Sequence, residues 1–149
     1  MKITHCKLKK SIQNKLLEFF VLEVTTRAAA DLLGIQANSA ILFYRKIREV
    51  ISYHLALEAD EIIDGQIELN ESYFGGHRKG KRGRDAAGKV AVFGLLKRQG
   101  KIFTVVVENT KTNGIDRKNF PLFLKECEFR FNFGVPKEQL KTLRKWSGI

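Results

Sequence analysis

Residues 66–98 read QIELNESYFGGHRKGKRGRDAAGKVAVFGLLKR, and this stretch predicts a strand, a glycine turn, a long basic loop and a second strand. The extended, partly apolar pattern over residues 66–74 ends at Gly75 and Gly76, and a mostly apolar run resumes near residue 89. The basic loop between them, residues 77–89, contains a single acid, Asp85. Its basic side chains are His77, Arg78, Lys79, Lys81, Arg82, Arg84 and Lys89. This density of positive charge favours binding of a phosphate backbone, and a solvated, mobile insertion is the alternative.

A third strand follows the second. Residues 101–107, KIFTVVV, are separated from the strand at about residues 89–97 by a turn that contains Gly100. Two such runs joined by a glycine turn are typical of a hairpin. The pattern therefore predicts three successive antiparallel strands, a three-stranded meander, and the periodicity alone indicates nothing more about the fold.

The same stretch carries a family resemblance. The run IELNESYFGG, followed by basic residues and then GKVAVFGLLKR, resembles the first half of the catalytic domain of small bacterial insertion-sequence transposases. These transposases belong to the DDE superfamily, have a ribonuclease-H-like fold and use Mg²⁺ ions held by three carboxylates to cut and join DNA. The resemblance places Asn70 at the position of the first catalytic acid. Asn70 has no charge, and the adjacent Glu71 should point to the opposite face of the strand, so it should not substitute.

The resemblance also implies that the centre of the catalytic domain is missing. After VVVENTK the chain continues directly into a segment that resembles the extreme C-terminal part of the same family, which implies an internal deletion near residues 111–113. The segment with the other two acids would then be absent, and Asp116 would belong to the tail that follows them. We therefore expect a degenerate catalytic position at Asn70, no bound metal or other cofactor, and no catalytic activity.

The first third of the chain predicts three helices. The first covers residues 11–24 with Ser11 as a possible N-cap, and the second is a short helix capped by Thr25 or Thr26 and ended by Gly34. The third runs through residues 40–58 with Asn38 or Ser39 as its cap, and its apolar side includes Ile41, Phe43 or Tyr44, Ile47, Val50, Ile51 and Leu55. A short helix that a glycine turn joins to a longer one is the pattern of a helix-turn-helix DNA-binding unit, which the family resemblance also implies.

In a helix-turn-helix unit the start of the third helix would enter the major groove. Gln36, Asn38 and Ser39 would then face base edges. The side chains expected to reach phosphates are Arg27, Arg45, Lys46 and Arg48. The alternative is an ordinary three-helix bundle with solvated charges. The nearly neutral charge of residues 1–65, with nine Lys or Arg against eight Asp or Glu, favours that alternative.

These patterns predict an α+β protein with two domains. Residues 1–60 form a three-helix, helix-turn-helix DNA-binding domain, and residues 58–65, EADEIIDG, form an acidic linker. Residues 66–149 form a partial ribonuclease-H-like domain, in which the three-stranded antiparallel meander precedes C-terminal helices. The first of these helices begins near Phe120 after an Asn119 cap, and the second covers residues 137–146.

Charge and composition limit the functions. The formal net charge is +11, and residues 66–149 contain eighteen Lys or Arg against eight Asp or Glu, which favours a polyanionic partner. The two cysteines have no metal-ligand spacing, and no apolar run is long enough to span a membrane, so we expect a cytoplasmic protein without a metal site. The expected partner is double-stranded DNA, in particular the terminal repeats of the element.

The sequence leaves three interpretations open. The chain is an inactive transposase that still binds DNA, a non-enzymatic DNA-binding regulator of element ends, or a decayed gene product whose sheet exposes an unpaired edge. It could act as a homo-oligomer or pair with the full-length transposase.

Overall fold

The computed structural model describes residues 1–62, 67–74, 90–97, 100–106 and 119–149. Within these residues the chain is mostly helical, with five helices and three strands. The elements are α1 (Lys10–Val21), α2 (Thr26–Leu33), α3 (Ala37–Ile62), β1 (Ile67–Phe74), β2 (Val90–Lys97), β3 (Ile102–Val106), α4 (Phe120–Phe133) and α5 (Pro136–Ser147). None of the helices in this described part is both long and apolar enough to cross a membrane.

The chain divides into two compact units. Unit 1 combines Met1–Glu58 with Phe133–Ile149, and unit 2 is Ala59–Asn132. The sequence-based division had placed all of residues 66–149 in the second domain. The difference arises because α5 packs against α1 and its Trp146 stacks on His54 of α3, with Leu143 fully buried and Trp146 9% exposed. Burial of these two side chains associates the last helix with the N-terminal helices.

Unit 1 has one apolar core, which α1, α2, α3 and α5 share. The backbone of the N-terminal segment is tied to the last helix by a hydrogen bond from the Ile3 N–H to the Ser147 carbonyl, 2.9 Å. The buried apolar side chains of the unit are Leu16, Leu17, Phe20, Val21, Ala29, Ala30, Ala40, Phe43, Tyr44, Ile47, Val50, Ile51, Leu55, Leu143 and Trp146.

The ends of the first and third helices differ from the sequence prediction. α1 begins one residue before Ser11, and Lys9 takes the N-cap position without a side-chain hydrogen bond, so Ser11 is not the cap. α3 begins at Ala37, and Asn38 and Ser39 therefore lie inside its first turn instead of capping it. α3 also continues to Ile62, through most of the acidic segment that had been predicted to be a linker. No glycine or proline interrupts residues 58–62, so nothing local ends the helix there.

Unit 2 contains a three-stranded antiparallel sheet with the order β1-β2-β3. The strands lie where the sequence pattern places them. In the register, Asn70 is opposite Gly94, and Gly94 is opposite Thr104 on the other side. α4 is attached to β3 by side chains: Asn132 exchanges two hydrogen bonds with the backbone of Ile102, at 2.7 and 2.8 Å. The hydrogen bonds satisfy polar groups of β3 that have no partner strand in the described sheet.

Candidate nucleic-acid interface

The connection between α2 and α3 is a tight turn with defined hydrogen bonds. The Thr25 hydroxyl accepts a hydrogen bond from the Ala28 N–H, 3.2 Å, so Thr25 is the cap of α2 and Thr26, the other predicted candidate, is its first residue. At the other end Gly34 adopts the left-handed conformation, φ +61°, and the Ile35 N–H donates to the Ala30 carbonyl, 3.0 Å. This closure sets the direction in which the chain enters α3.

Small side chains allow α2 to lie close to its neighbours. Ala29 is fully buried and Ala30 is 4% exposed, so the buried face of this short helix has no bulky group. On α3, Tyr44 donates a hydrogen bond from its hydroxyl to the Val24 carbonyl, 3.0 Å, and its ring meets the Phe20 ring edge-on at 5.2 Å. α3 is therefore held in position by both a buried ring contact and a polar contact.

The first turns of α3 have one buried face and one exposed face. Ala40 and Phe43 are buried, whereas Asn38 on the first turn and Gln36 just before it are exposed. Ser39 is half-buried and lines a cavity of about 270 Å³ together with the N-terminal segment. The structure therefore places two of the three predicted base-contacting residues at the exposed start of α3, and the third faces the N-terminal segment.

The predicted phosphate-contacting residues are spread around unit 1, and three of them, Arg45, Lys46 and Arg48, have structural contacts. Arg27 is exposed on α2, and Arg45 is exposed on α3 but forms an ion pair with Glu49, 3.1 Å. Arg48 is half-buried, and its guanidinium lies over the Phe20 ring, 5.6 Å from the ring centre. A cation held over an aromatic face stabilises the helix packing, so Arg48 has a structural contact that the sequence pattern did not indicate.

Exposed apolar side chains lie beside the polar ones. The sequence pattern assigned Ile41 to the buried side of the third helix, but Ile41 is 49% exposed, and Leu42 next to it is 60% exposed. Leu32 at the end of α2 is 68% exposed. The helical period does not distinguish the buried face of α3 from its exposed face, because Leu and Ile occur on both faces. An apolar side chain that enters a major groove can contact the thymine methyl group.

The predicted catalytic position lies on the sheet of unit 2. Asn70 is in β1, and only its backbone register is described. Among the described residues no three His, Cys, Asp or Glu side chains are grouped so that they could hold a metal ion. The predicted DNA-contacting residues of the basic loop, Arg78 to Lys89, lie outside the described part of the chain, as does the predicted deletion near residues 111–113.

Part of the chain matches a known family. Residues 62–119 match a family described as the ISXO2-like transposase domain. The matched range starts at the last residue of α3, includes all three strands with Asn70, and ends just before α4. It supports a transposase of an insertion-sequence family. Comparisons with curated proteins and with solved structures found no match.

Proposed function

We propose that the chain binds double-stranded DNA through α2 and α3 without carrying out strand chemistry. The match of residues 62–119 to the ISXO2-like transposase domain supports a transposase-derived function in transposition.

The observation that supports DNA binding most directly is the exposed start of α3. The turn that contains Gly34 precedes it, and Ala40 and Phe43 are buried on its core side. Gln36 and Asn38 are exposed at its N-terminal end. Amide side chains are suited to base edges because they offer a donor and an acceptor together. We propose that this end of α3 enters the major groove, in the geometry of a helix-turn-helix unit.

The charge of unit 1 supports the same proposal over an ordinary three-helix bundle. Its residues include thirteen Lys or Arg and six Asp or Glu, a net charge of +7. Residues 1–65 taken as a continuous segment are nearly neutral, and this neutrality was the argument for the bundle. Unit 1 is more positive than that segment because α5 contributes four cations to it and the acids at positions 60, 61 and 64 lie outside it. A positive surface of this size attracts polyanions over a distance of about 10 Å at moderate salt.

The test of DNA binding is fluorescence anisotropy of the full chain on labelled duplexes. One duplex carries the terminal repeat of the element, and the other is a scrambled duplex of equal length and composition. We expect tighter binding to the terminal repeat, and loss of that preference in the double variant Gln36→Ala/Asn38→Ala. Lys141→Ala, an exposed change on α5, is the matched control. Equal affinity of the unmodified chain for both duplexes would contradict recognition through α3.

The proposed inactivity rests on the residue at position 70. Under the family resemblance Asn70 stands where the first acid would be, and an amide oxygen carries no charge to hold a divalent ion. The β1-β2-β3 order, with α4 attached to β3, supports a partial ribonuclease-H-like domain. The segment that would carry the other two acids is, in this proposal, absent from the chain.

Strand cleavage and joining with Mg²⁺ or Mn²⁺ test the inactivity. We expect no product from the chain, and none from Asn70→Asp, because restoring one acid leaves the metal set incomplete. Product formation that a chelator abolishes would contradict the inactivity. Product formed only by Asn70→Asp would contradict the proposed absence of the segment with the other two acids, because those acids would then have to be present.

An inactive chain that binds element ends could act as a regulator. It would occupy the terminal repeats, as a homo-oligomer or paired with the full-length transposase, and block their use. We expect added chain to inhibit transposition by the full-length enzyme in proportion to its occupancy of the ends. A chain that is rapidly degraded or aggregates would instead support a decayed gene product.

A further inference from the structure

We propose that the N-terminal segment, residues 2–9, is a second DNA-contacting surface that binds phosphates beside the start of α3. The proposal rests on the proposed DNA binding by α2 and α3 and adds a sequence-independent contact to it. None of the predicted DNA-contacting residues lies in this segment.

The first observation is charge. Residues 1–10, MKITHCKLKK, contain four lysines and one histidine, and the first acid of the chain is Glu18. Lys2, Lys7 and Lys9 are all exposed. No carboxylate in the segment neutralises them, in contrast to Arg45, which is paired with Glu49.

The second observation is position. Lys7 and Leu8 line the same cavity of about 270 Å³ as Ser39, Leu42 and Lys46 of α3. The N-terminal segment therefore runs along the first turns of α3, next to the end that we propose enters the groove. A duplex bound at the N-terminal end of α3 would bring its backbone close to Lys7, because the groove walls are the phosphate strands.

The third observation is that the backbone of the segment is held in place before any ligand binds. The Ile3 N–H donates to the Ser147 carbonyl at 2.9 Å, Lys46 Nζ donates to the Thr4 carbonyl at 3.4 Å, and Gln13 Nε2 donates to the Leu8 carbonyl at 2.6 Å. A segment already ordered loses less conformational entropy on binding than a free tail. The lysines can then contribute electrostatic attraction without a large ordering cost.

The residue type indicates phosphates instead of bases as the ligand. A lysine ammonium group is a compact charge without the planar fork that reads a guanine edge, so it recognises the phosphate as a point charge. Contacts of this kind release counterions and give an affinity that falls steeply with salt. We therefore expect the segment to increase affinity equally for every duplex, while α3 supplies the preference.

The experiment compares Lys7→Ala/Lys9→Ala with Lys137→Ala/Lys141→Ala, a control pair of exposed lysines on α5. Binding of each full-length variant to the terminal-repeat and scrambled duplexes is measured by anisotropy between about 50 and about 200 mM salt. We expect the slope of log affinity against log salt to become shallower by about two in the Lys7/Lys9 variant, with equal loss on both duplexes. Lys7→Arg/Lys9→Arg should restore the slope.

The outcomes separate the two proposals. If the unmodified chain binds with preference but the Lys7/Lys9 variant keeps its salt slope, the N-terminal surface is wrong and recognition by α3 stands. If the Lys7/Lys9 variant and the Lys137/Lys141 variant change the salt slope equally, the N-terminal surface is also wrong, because the change would then reflect only the loss of net charge. If the unmodified chain binds no duplex, both proposals fail. The unfolding midpoint reported by Trp146, the single tryptophan, verifies that each variant is folded.

Discussion

The rings of His54 and Trp146 stack face to face, with centroids 4.7 Å apart and planes 7° from parallel. His54 is on α3 and Trp146 is near the end of α5, so the stack joins two helices far apart in sequence. The Met1 amino group lies 3.2 Å from Nε2 of the same histidine. Burial lowers the pKa of His54 below its ordinary value of 6.5, and the positive charge of the Met1 amine lowers it further.

Unit 1 should lose stability in mild acid because of this histidine. The unfolded chain takes up a proton at position 54 below pH about 6.5, but the folded chain resists protonation until a lower pH. Stability is therefore full above that value and falls as the pH drops between the two pKa values. The free energy of unfolding at several pH values can be measured by urea unfolding, with Trp146 fluorescence as the signal.

The control for this pH effect is a variant that keeps the stack but cannot be protonated. His54→Phe should flatten the pH profile, whereas His5→Gln, at an exposed position, should leave it unchanged. A profile that is identical in the unmodified chain and in His54→Phe would rule out His54 as the cause.

The packing of α5 within unit 1 should depend on one buried leucine. Leu143 is fully buried, and Leu143→Ala should lower the free energy of unfolding by about 2–5 kcal/mol through lost burial and the cavity that remains. Leu32→Ala is the matched control, since Leu32 is 68% exposed and its loss should have a small effect. Equal effects of the two substitutions in urea unfolding would show that α5 does not pack as described.

The turn between α2 and α3 should require its left-handed residue. A Cβ atom added at Gly34 would meet no atom within 4 Å, so Gly34→Ala tests the backbone conformation alone. We expect a loss of about 1–2 kcal/mol in the free energy of unfolding. Gly34→Asn should recover part of this loss because asparagine tolerates the conformation. If alanine were as stable as glycine in thermal unfolding, the turn would have another geometry.

In unit 2, Glu128 should be essential for the attachment of α4 to β3. Its side chain is fully buried, and its Oε2 accepts hydrogen bonds from the Thr104 hydroxyl, 2.6 Å, the Thr104 N–H, 2.9 Å, and Lys125 Nζ, 2.7 Å. Glu128→Ala would leave a mostly buried ammonium group and a backbone N–H without their partner. We expect destabilisation of about 3–5 kcal/mol.

Hydrogen exchange of the full chain measures this effect locally. The Thr104 amide should lose its protection in Glu128→Ala but keep it in Glu138→Ala, an exposed change on α5. Protection that is the same in both variants would show that the carboxylate does not hold this strand.

Several local features could be predicted from the sequence because their causes are local. The cap at Thr25, the stop at Gly34 and the three strands depend on residues within a few positions of one another. Other predictions failed because the local pattern allowed more than one outcome. Asn38 and Ser39 were both plausible caps, but the hydrogen bonds begin the helix at Ala37. Ile41 fits the apolar period, but it lies exposed because Ala40 and Phe43 take the core side.

The sequence by itself determined the identity of the residue at position 70, the excess of positive charge, and the transposase-domain pattern of residues 62–119. Only the tertiary structure decided that α5 belongs to the N-terminal unit, that its cations raise the charge of this unit to +7, and that Lys7 lies beside α3. The physical reason is that charge and local pattern belong to each residue and its neighbours. The partner against which Leu143 and Trp146 are buried depends on which distant apolar surface excludes water best, and no local period encodes that choice.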